Sequence, residues 1–522
     1  MAVGVAPGGD SALSNLVSQD QVPWYKKRNL RMLYLIMFPT CIGIEMTSGY
    51  DSSMMNGLQA VPTWDAFFHH PRSTILGLLS ALYSLGSICS LPFVPMVADR
   101  FGRRWSIIFG SIIMVIGAAL QAASQDFAMF VIARFLLGFG IPFAIIAASS
   151  MIGELAHPKE RARMGSLFNA SWFIGAIVAA GVTLGTFHMP TSWGWRIPSL
   201  LQVVPSLLQL TFIAFLPESP RWLVSQGRTS EAFAILVKYH AEGDASSEFV
   251  RLEFAEIETT LELEKEQAKG SWREIVRAPG MRKRLLIGSF LGLATQWSGN
   301  GLTSYFLARI LDNVGVTDDR TKNLINLAMT SWGFVNATGL ALTVPKMRRR
   351  TGYLAGTLAL LLIFTGWTIA SAQYARTNSD AASRAVIAFI FLYSPAYNIC
   401  YNALTYTYLV ELFPFHARAK GIAVFQWWGR AAGFFNQFVN PIGINNAGWK
   451  YYISYCVFLL FEVVFVWFLF PETSGRTLEE LAFLFEGDKV QQEQQKRIEQ
   501  DVVETGAGAG SEKESVVHME DR

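Results

Sequence analysis

Two landmarks recur along this chain at nearly one separation. Glu154 is followed seven residues later by Arg161, and Glu411 is followed seven later by Arg418, 257 positions further on. An apolar run ends at Pro217-Glu218-Ser219 with Arg221 close behind; another ends at Pro471-Glu472-Thr473 with Arg476 close behind, 254 positions further on. Repetition at an almost constant offset implies two homologous halves of about 250 residues. A chain constrained in this way folds twice to one plan and packs the copies together. In an apolar chain, that plan points to a transporter that rocks one half against the other around a central site.

The chain is apolar enough. Hydrophobic residues are 51% and charged residues 16% of it, against about 25% charged in soluble domains. Its 38 Phe and 15 Trp suit lipid-facing surface and interfacial belts. A net charge of +3 is too small to suggest a nucleic-acid partner. Cys41, Cys89, Cys400 and Cys456 all lie inside apolar runs and read as small buried hydrophobes, not as a disulfide or metal set.

Runs long enough to span a bilayer lie near 33–57, 73–97, 105–123, 127–152, 166–187, 198–216, 285–310, 322–344, 353–372, 385–410, 421–443 and 451–470. The expected fold is therefore an all-α membrane protein with twelve spans in two six-helix halves. The predicted division is a cytoplasmic segment at 1–32, halves at 33–216 and 284–470, a cytoplasmic linker at 217–283 and a cytoplasmic tail at 471–522. With the N-terminus inside, sixteen Lys and Arg of the short connections fall on the cytoplasmic side, among them Lys26, Arg103 and Arg349, against seven outside. The positive-inside rule then makes both termini cytoplasmic.

In the linker, Val250, Phe254, Ile257 and Leu261 repeat with helical spacing under a Glu/Lys-rich face, as in an amphipathic helix packed beneath the bundle. Residues 487–522 are charged and poor in aromatics, the composition of a disordered tail. Residues 1–25 lack the pattern of a cleaved signal peptide. The sequons at Asn169 and Asn336 fall inside spans, out of reach of glycosylation.

Five motifs stand in order beside their spans: Asp99-Arg100-Phe101-Gly102-Arg103-Arg104, Arg134-Phe-Leu-Leu-Gly138-Phe-Gly140, Glu154 to Arg161, Pro217-Glu218-Ser219-Pro220-Arg221, and Pro471-Glu472-Thr473 to Glu480. Over about residues 30–485 this set resembles the sugar porter family of the major facilitator superfamily. Gly49-Tyr50-Asp51, Gln296-Trp297-Ser298-Gly299-Asn300-Gly301 and Asn436-Gln437-Phe-Val-Asn440-Pro441 are similar to its fungal branch of lactose permeases and hexose transporters.

The resemblance implies secondary active uptake of a sugar by alternating access, coupled to a proton, in the plasma membrane. A passive facilitator is the alternative. A non-transporting nutrient receptor is disfavoured, since only 52 residues follow Phe470. Nothing in the sequence suggests an enzyme, a cofactor or a metal, and a monomer is expected. An ionisable residue in a span costs at least ~2.5–3.5 kcal/mol unless paired or hydrated. The resemblance pairs Asp51 with Arg134 as the proton-coupling site. Asp99, Arg103, Arg104, Glu154, Arg161 and Glu218, with Glu411 and Arg418 in the second half, are expected to form a charge network that latches the outward-facing state.

Sugars need amide forks for hydroxyls and aromatic faces for ring C–H surface. Gln296 and Asn300 lead the candidates, followed by Asn169, Tyr305, Tyr406 and Trp427, with Asn326, Asn402, Gln426, Asn436 and Gln437 behind them. Three departures from the family pattern stand out. Thr295-Gln296 replaces paired glutamines in span seven, where Asn300 comes one place early. Asn402-Ala403 and Tyr406 replace Gly-Pro and Trp in span ten. The loop Pro345-Lys346-Met347-Arg348-Arg349-Arg350 lacks the acidic and glycine positions of its twin, so the second latch is expected to rest on Glu411 and Arg418. Arg430 and Glu462 also fall inside spans, where mutual neutralisation is one option.

Overall fold

The computed structural model of the chain describes residues 22–267, 277, 279–341, 347–413 and 415–474. Every regular element among the described residues is helical. Nine stretches among them are long and apolar enough to cross a membrane, and the last, Lys420–Leu469, covers two helices. Spans seven and eight fall outside that set. Span seven is broken into short pieces, and span eight, Asp319–Ala341, carries Asn323, Asn326 and Asn336 along its length. Together these elements make the twelve crossings of a two-half, all-helical membrane fold.

Three spans are interrupted where the sequence denies the helix a bond or demands an unusual backbone. Span one, Arg28–Leu58, bends after Pro39, and a 3-10 turn at Ile42–Ile44 joins its two pieces. Span seven stops at Trp297 and restarts at Asn300, because Gly299 takes φ = +101°, a conformation side chains rarely adopt. Span ten, Asp380–Tyr397, passes through a π-helical turn at Asn398–Asn402 just after Pro395 before resuming at Thr405–Leu412.

Helices in lipid gain little from apolar contact alone, so close backbone approach carries much of the packing. A Cβ built on Gly49 would fall 1.8 Å from the Trp172 carbonyl oxygen, which seats span one on span five. One on Gly138 would fall 1.8 Å from the Tyr83 carbonyl oxygen, seating span four on span two. Between the halves, span two packs on span eleven and span five on span eight.

The cores show which end is closed. Tyr50, Met54, Leu58, Trp64 and Trp195, at the end of the first half away from the 220–267 helices, belong to the same buried cluster as Leu302, Phe306, Leu311 and the interior of the second half. Leu33, Met37, Ile107, Met151 and Leu155, toward the end that carries those helices, form a separate cluster. Among the described residues the halves share a core at the first end and not at the second.

Beneath the bundle lie three helices, Pro220–Ser225, Thr229–His240 and Glu248–Gln267. Leu236, Val250 and Ile257 are buried among them, with Phe254 and Leu261 packed against the cluster. The segment is tied to the first half. The Glu242 carboxylate accepts the Asn29 and Leu30 amides at 3.0 Å each, filling the orphan donors at the start of span one. His240 bonds Glu253 through Nδ1 at 2.7 Å and the Leu155 carbonyl through Nε2 at 3.2 Å. The expected disordered tail at 487–522 and residues 1–21 lie outside the described residues.

Candidate functional site

Asp51 and Arg134 are both buried in the membrane interior, and Arg134 Nη1 donates to Asp51 Oδ1. Arg134 Nε donates to the Leu79 carbonyl at 3.2 Å, and its guanidinium lies 5.1 Å from the Tyr83 ring centroid. Asp51 Oδ1 also receives Gln202 Nε2 from span six at 2.9 Å, while Oδ2 has no hydrogen-bond partner. A buried carboxylate with one free oxygen and one cation is a place where a proton can sit. Neither Gln202 nor Tyr83 stood out in the sequence, since an isolated amide or phenol in a span has no spacing to mark it.

Across the interface, Tyr305 closes this site from the second half. Its side chain lies within electrostatic reach of Asp51 and Arg134, and Ser52 Oγ, next to Asp51, donates to the carbonyl of the neighbouring Ser304 at 3.4 Å. The Tyr305 carbonyl accepts Gln59 Nε2 at 2.5 Å. Nearby, Asn56 Nδ2 donates to Asn326 Oδ1 at 3.1 Å, and Asn56 Oδ1 accepts the Ala308 amide at 3.1 Å. Farther out, Arg309 pairs with Asp65 at 3.0 Å. Burial pushes the Asp65 carboxyl up, but hydrogen bonds and charge from His70 and Arg309 outweigh it and hold it below the ordinary carboxylate range. A cavity of about 490 Å³ opens beside this pair, lined by Gln59, Arg72, Asp312, Lys322 and Asn445 among others.

The amides predicted to touch sugar divide into two groups. Gln296 and Asn300 flank the break in span seven, and both are half-buried. The Asn300 carbonyl oxygen Oδ1 accepts Ser304 Oγ at 3.1 Å, while the Gln296 side chain lies beside Gly433 of span eleven. Asn169 is exposed, as is Trp427 at 50%. The others are occupied with packing: Asn436 donates to the Gln296 carbonyl at 2.6 Å, and Gln437 accepts Ser84 Oγ of the first half at 2.7 Å. The Tyr406 side chain lies outside the described residues.

The charges expected to form the latch make two clusters among the described residues, one per half. In the first, Arg103 lies 3.6 Å from Glu154 and 3.5 Å from Asp99, and Glu154 accepts Ser219 Oγ. Glu218 accepts the amides of Arg103 at 3.1 Å and Arg104 at 3.2 Å. Burial pushes the Glu218 carboxyl up, against those amides. In the second, Arg349 pairs with Glu411 at 2.9 Å, Glu411 accepts Thr473 Oγ1 at 2.5 Å, and Glu472 accepts the amides of Arg349 at 2.9 Å and Arg350 at 3.2 Å.

These pairings add partners that the sequence reading did not name. Glu411 was expected to work with Arg418, whose side chain lies outside the described residues; among the described residues Arg349 pairs with it. The loop after span eight has therefore kept the arginine that matters while losing its acid and glycine. Arg161, expected in the same network as Glu154 and Glu218, reaches Glu253 of the linker at 3.7 Å. The chain turns between Glu154 and Arg161, so seven residues of separation do not make them neighbours. Arg430 and Glu462 are also not partners: Arg430 acts on Glu45 of span one, while Glu462 accepts bonds from Ser298 and Tyr401.

The profile described as "Sugar (and other) transporter" matches residues 36–485. The chain belongs to the sugar porter family. It is 28% identical over 488 residues to a high-affinity glucose transporter of Kluyveromyces lactis, covering 88% of this chain and 86% of that one. It is 27% identical over 484 residues to an arabinose-proton symporter of Bacillus subtilis, covering 90% and 98%. The inward-open structure of the xylose transporter XylE from E. coli superposes with a TM-score of 0.72 at 22% identity, over 87% of this chain and 100% of that one.

For a sugar porter, the arrangement has a clear division of labour. Each half ties the charged ends of its own helices together. The buried charge pair lies in the first half, and the broken span that covers it belongs to the second. The family is one of transporters, not enzymes, as the sequence leads one to expect.

Proposed function

We propose that this sugar porter imports a monosaccharide or disaccharide together with a proton, by alternating access, across a plasma membrane with both termini in the cytoplasm. The observation that carries this reading is the buried Asp51–Arg134 pair, with its free Oδ2, lying directly beneath Tyr305 of the opposite half. A proton taken by Asp51 weakens its hold on Arg134, and the Tyr305 end of span seven moves with the loosened pair. Gln296 and Asn300 lie at the far side of the same broken span and serve as the leading sugar ligands. The symporter and glucose transporter among the relatives support the choice of coupling and substrate class. In this cycle the chain acts as a monomer, and it carries no cofactor.

The test is uptake of labelled glucose, xylose, arabinose and lactose by transport-deficient yeast expressing this chain, with and without a protonophore. Concentrative uptake that collapses with the protonophore supports symport. Uptake that equilibrates and ignores the protonophore assigns the passive facilitator instead. No uptake of any sugar despite surface expression overturns the transport reading.

A further inference from the structure

Glu462 is fully buried in span twelve, Tyr451–Leu469, on the face shared by Tyr455, Leu459 and Val466. An ionisable group at such a depth requires a reason. No ion pair involves it among the described residues, and Arg430, the nearest sequence candidate, acts elsewhere. Its bonds go instead to the two points at which the second half departs from regular helix. Ser298 Oγ donates to Oε1 at 2.8 Å, with Oε2 at 3.1 Å, and Ser298 is the residue at which span seven stops. Tyr401 OH donates to Oε2 at 2.9 Å, and Tyr401 lies in the π-helical turn of span ten.

A second bond joins the same two places. Tyr397 OH, one turn before Tyr401, donates to the Thr295 carbonyl at 2.7 Å. The Gly299 backbone has no spare room on its other side, where a Cβ would fall 2.3 Å from Phe364 Cζ. The break in span seven is therefore held from behind by one carboxyl and from the side by an aromatic wall. Gln296 stands two residues before Ser298, and Asn300 two after it.

We infer that Glu462 is a positioning residue for sugar recognition: it fastens the break of span seven to the π-turn of span ten, so that Gln296 and Asn300 are presented together and the two interrupted spans move as one. A carboxyl suits this role because its two oxygens take hydroxyl partners from two different helices at once. Glu462 itself does not touch sugar. The inference rests on the transport reading above and names how its leading ligands are held.

The test is initial uptake rate against concentration in transport-deficient yeast, with surface amount measured. The probe is labelled D-glucose, or whichever of D-xylose, L-arabinose and lactose the wild type takes up fastest. Glu462→Ala is expected to raise KM about tenfold or more with a smaller change in kcat, and Glu462→Gln, which keeps an acceptor, to raise it less. Ser298→Ala and Tyr401→Phe should each raise KM, and Ser298→Ala added to Glu462→Ala should add little, because both remove one bond. Wild-type KM in Glu462→Ala, or independent multiplying effects in the double variant, overturns the inference. Should Glu462→Ala not reach the surface, Glu462→Gln, Ser298→Ala and Tyr401→Phe decide: wild-type KM in all three overturns it. A wild-type chain that takes up no sugar would defeat the transport reading instead, so the two failures are distinguishable.

Discussion

The two halves agree at their charged helix ends and disagree in the membrane. Arg103, Glu154, Glu218 and Ser219 find counterparts in Arg349, Glu411, Glu472 and Thr473, bonded in the same pattern. In the interior the first half buries a charge pair, Asp51 with Arg134, under continuous packing. The second half buries a lone acid, Glu462, between two interrupted helices. The duplicated parts tie helix ends together, a task both halves share. The diverged parts face the path between the halves, where the copies need different chemistry.

The largest effect should come from the interior of the first half. Asp51→Asn is expected to abolish concentrative uptake, bringing the internal sugar level down to the external one while exchange across the membrane persists. Accumulation measured beside counterflow checks this; concentrative uptake that survives would break the asymmetry, since coupling would then lie elsewhere.

The two charge clusters offer a sharper test of equivalence. Arg103→Ala and Arg349→Ala each strip a partly buried carboxylate of its cation, at a cost of about 2 kcal/mol. Heating the purified protein in detergent and following loss of the folded monomer should show matching losses. A large loss from one variant alone would mean that the likeness of the clusters is geometric and not energetic.

A smaller effect is expected at the Gly299 break of span seven. Gly299→Ala forces a side chain into φ = +101° and against Phe364, at a cost of about 1–2 kcal/mol. Gly181→Ala, in span five with nothing within 4 Å of the added methyl, should leave stability and uptake unchanged. Melting of the two variants side by side separates backbone strain from mere loss of a glycine.

The weakest effect concerns the outer closure. The folded-state value of Asp65 is depressed, so the stabilisation it gives the Arg309 pair is present above the ordinary aspartate value, about 3.9, and is lost as pH falls through the depressed one. External acid near that range should loosen the closure a few-fold. A membrane-impermeant thiol reagent reacting with Asn445→Cys, on a Cys89→Ser background, measures this. The acceleration should vanish in Asp65→Asn.

Much of the fold was legible because its signals are local. Twelve apolar runs, basic connections and two Pro-Glu endings each occupy a few consecutive residues. The site was legible only where the resemblance supplied partners, as for Asp51 and Arg134. Spacing along the chain did not mark every partner: Glu411 pairs with Arg349, 62 residues away, in a loop that had lost the other family landmarks. Gln202 and Tyr83 carried no mark at all, because their roles depend on what lies opposite them.

The sequence by itself determined that this chain is a twice-repeated helical membrane protein of the sugar porter family, since apolar length and short motifs survive in one dimension. Only the tertiary structure decided which charges meet, because a buried carboxylate takes whichever donors the packing brings within about 3 Å. It alone showed that the repeated Glu and Pro-Glu landmarks are the visible ends of two matching clusters, and that Glu462 is bonded to both interruptions of the second half.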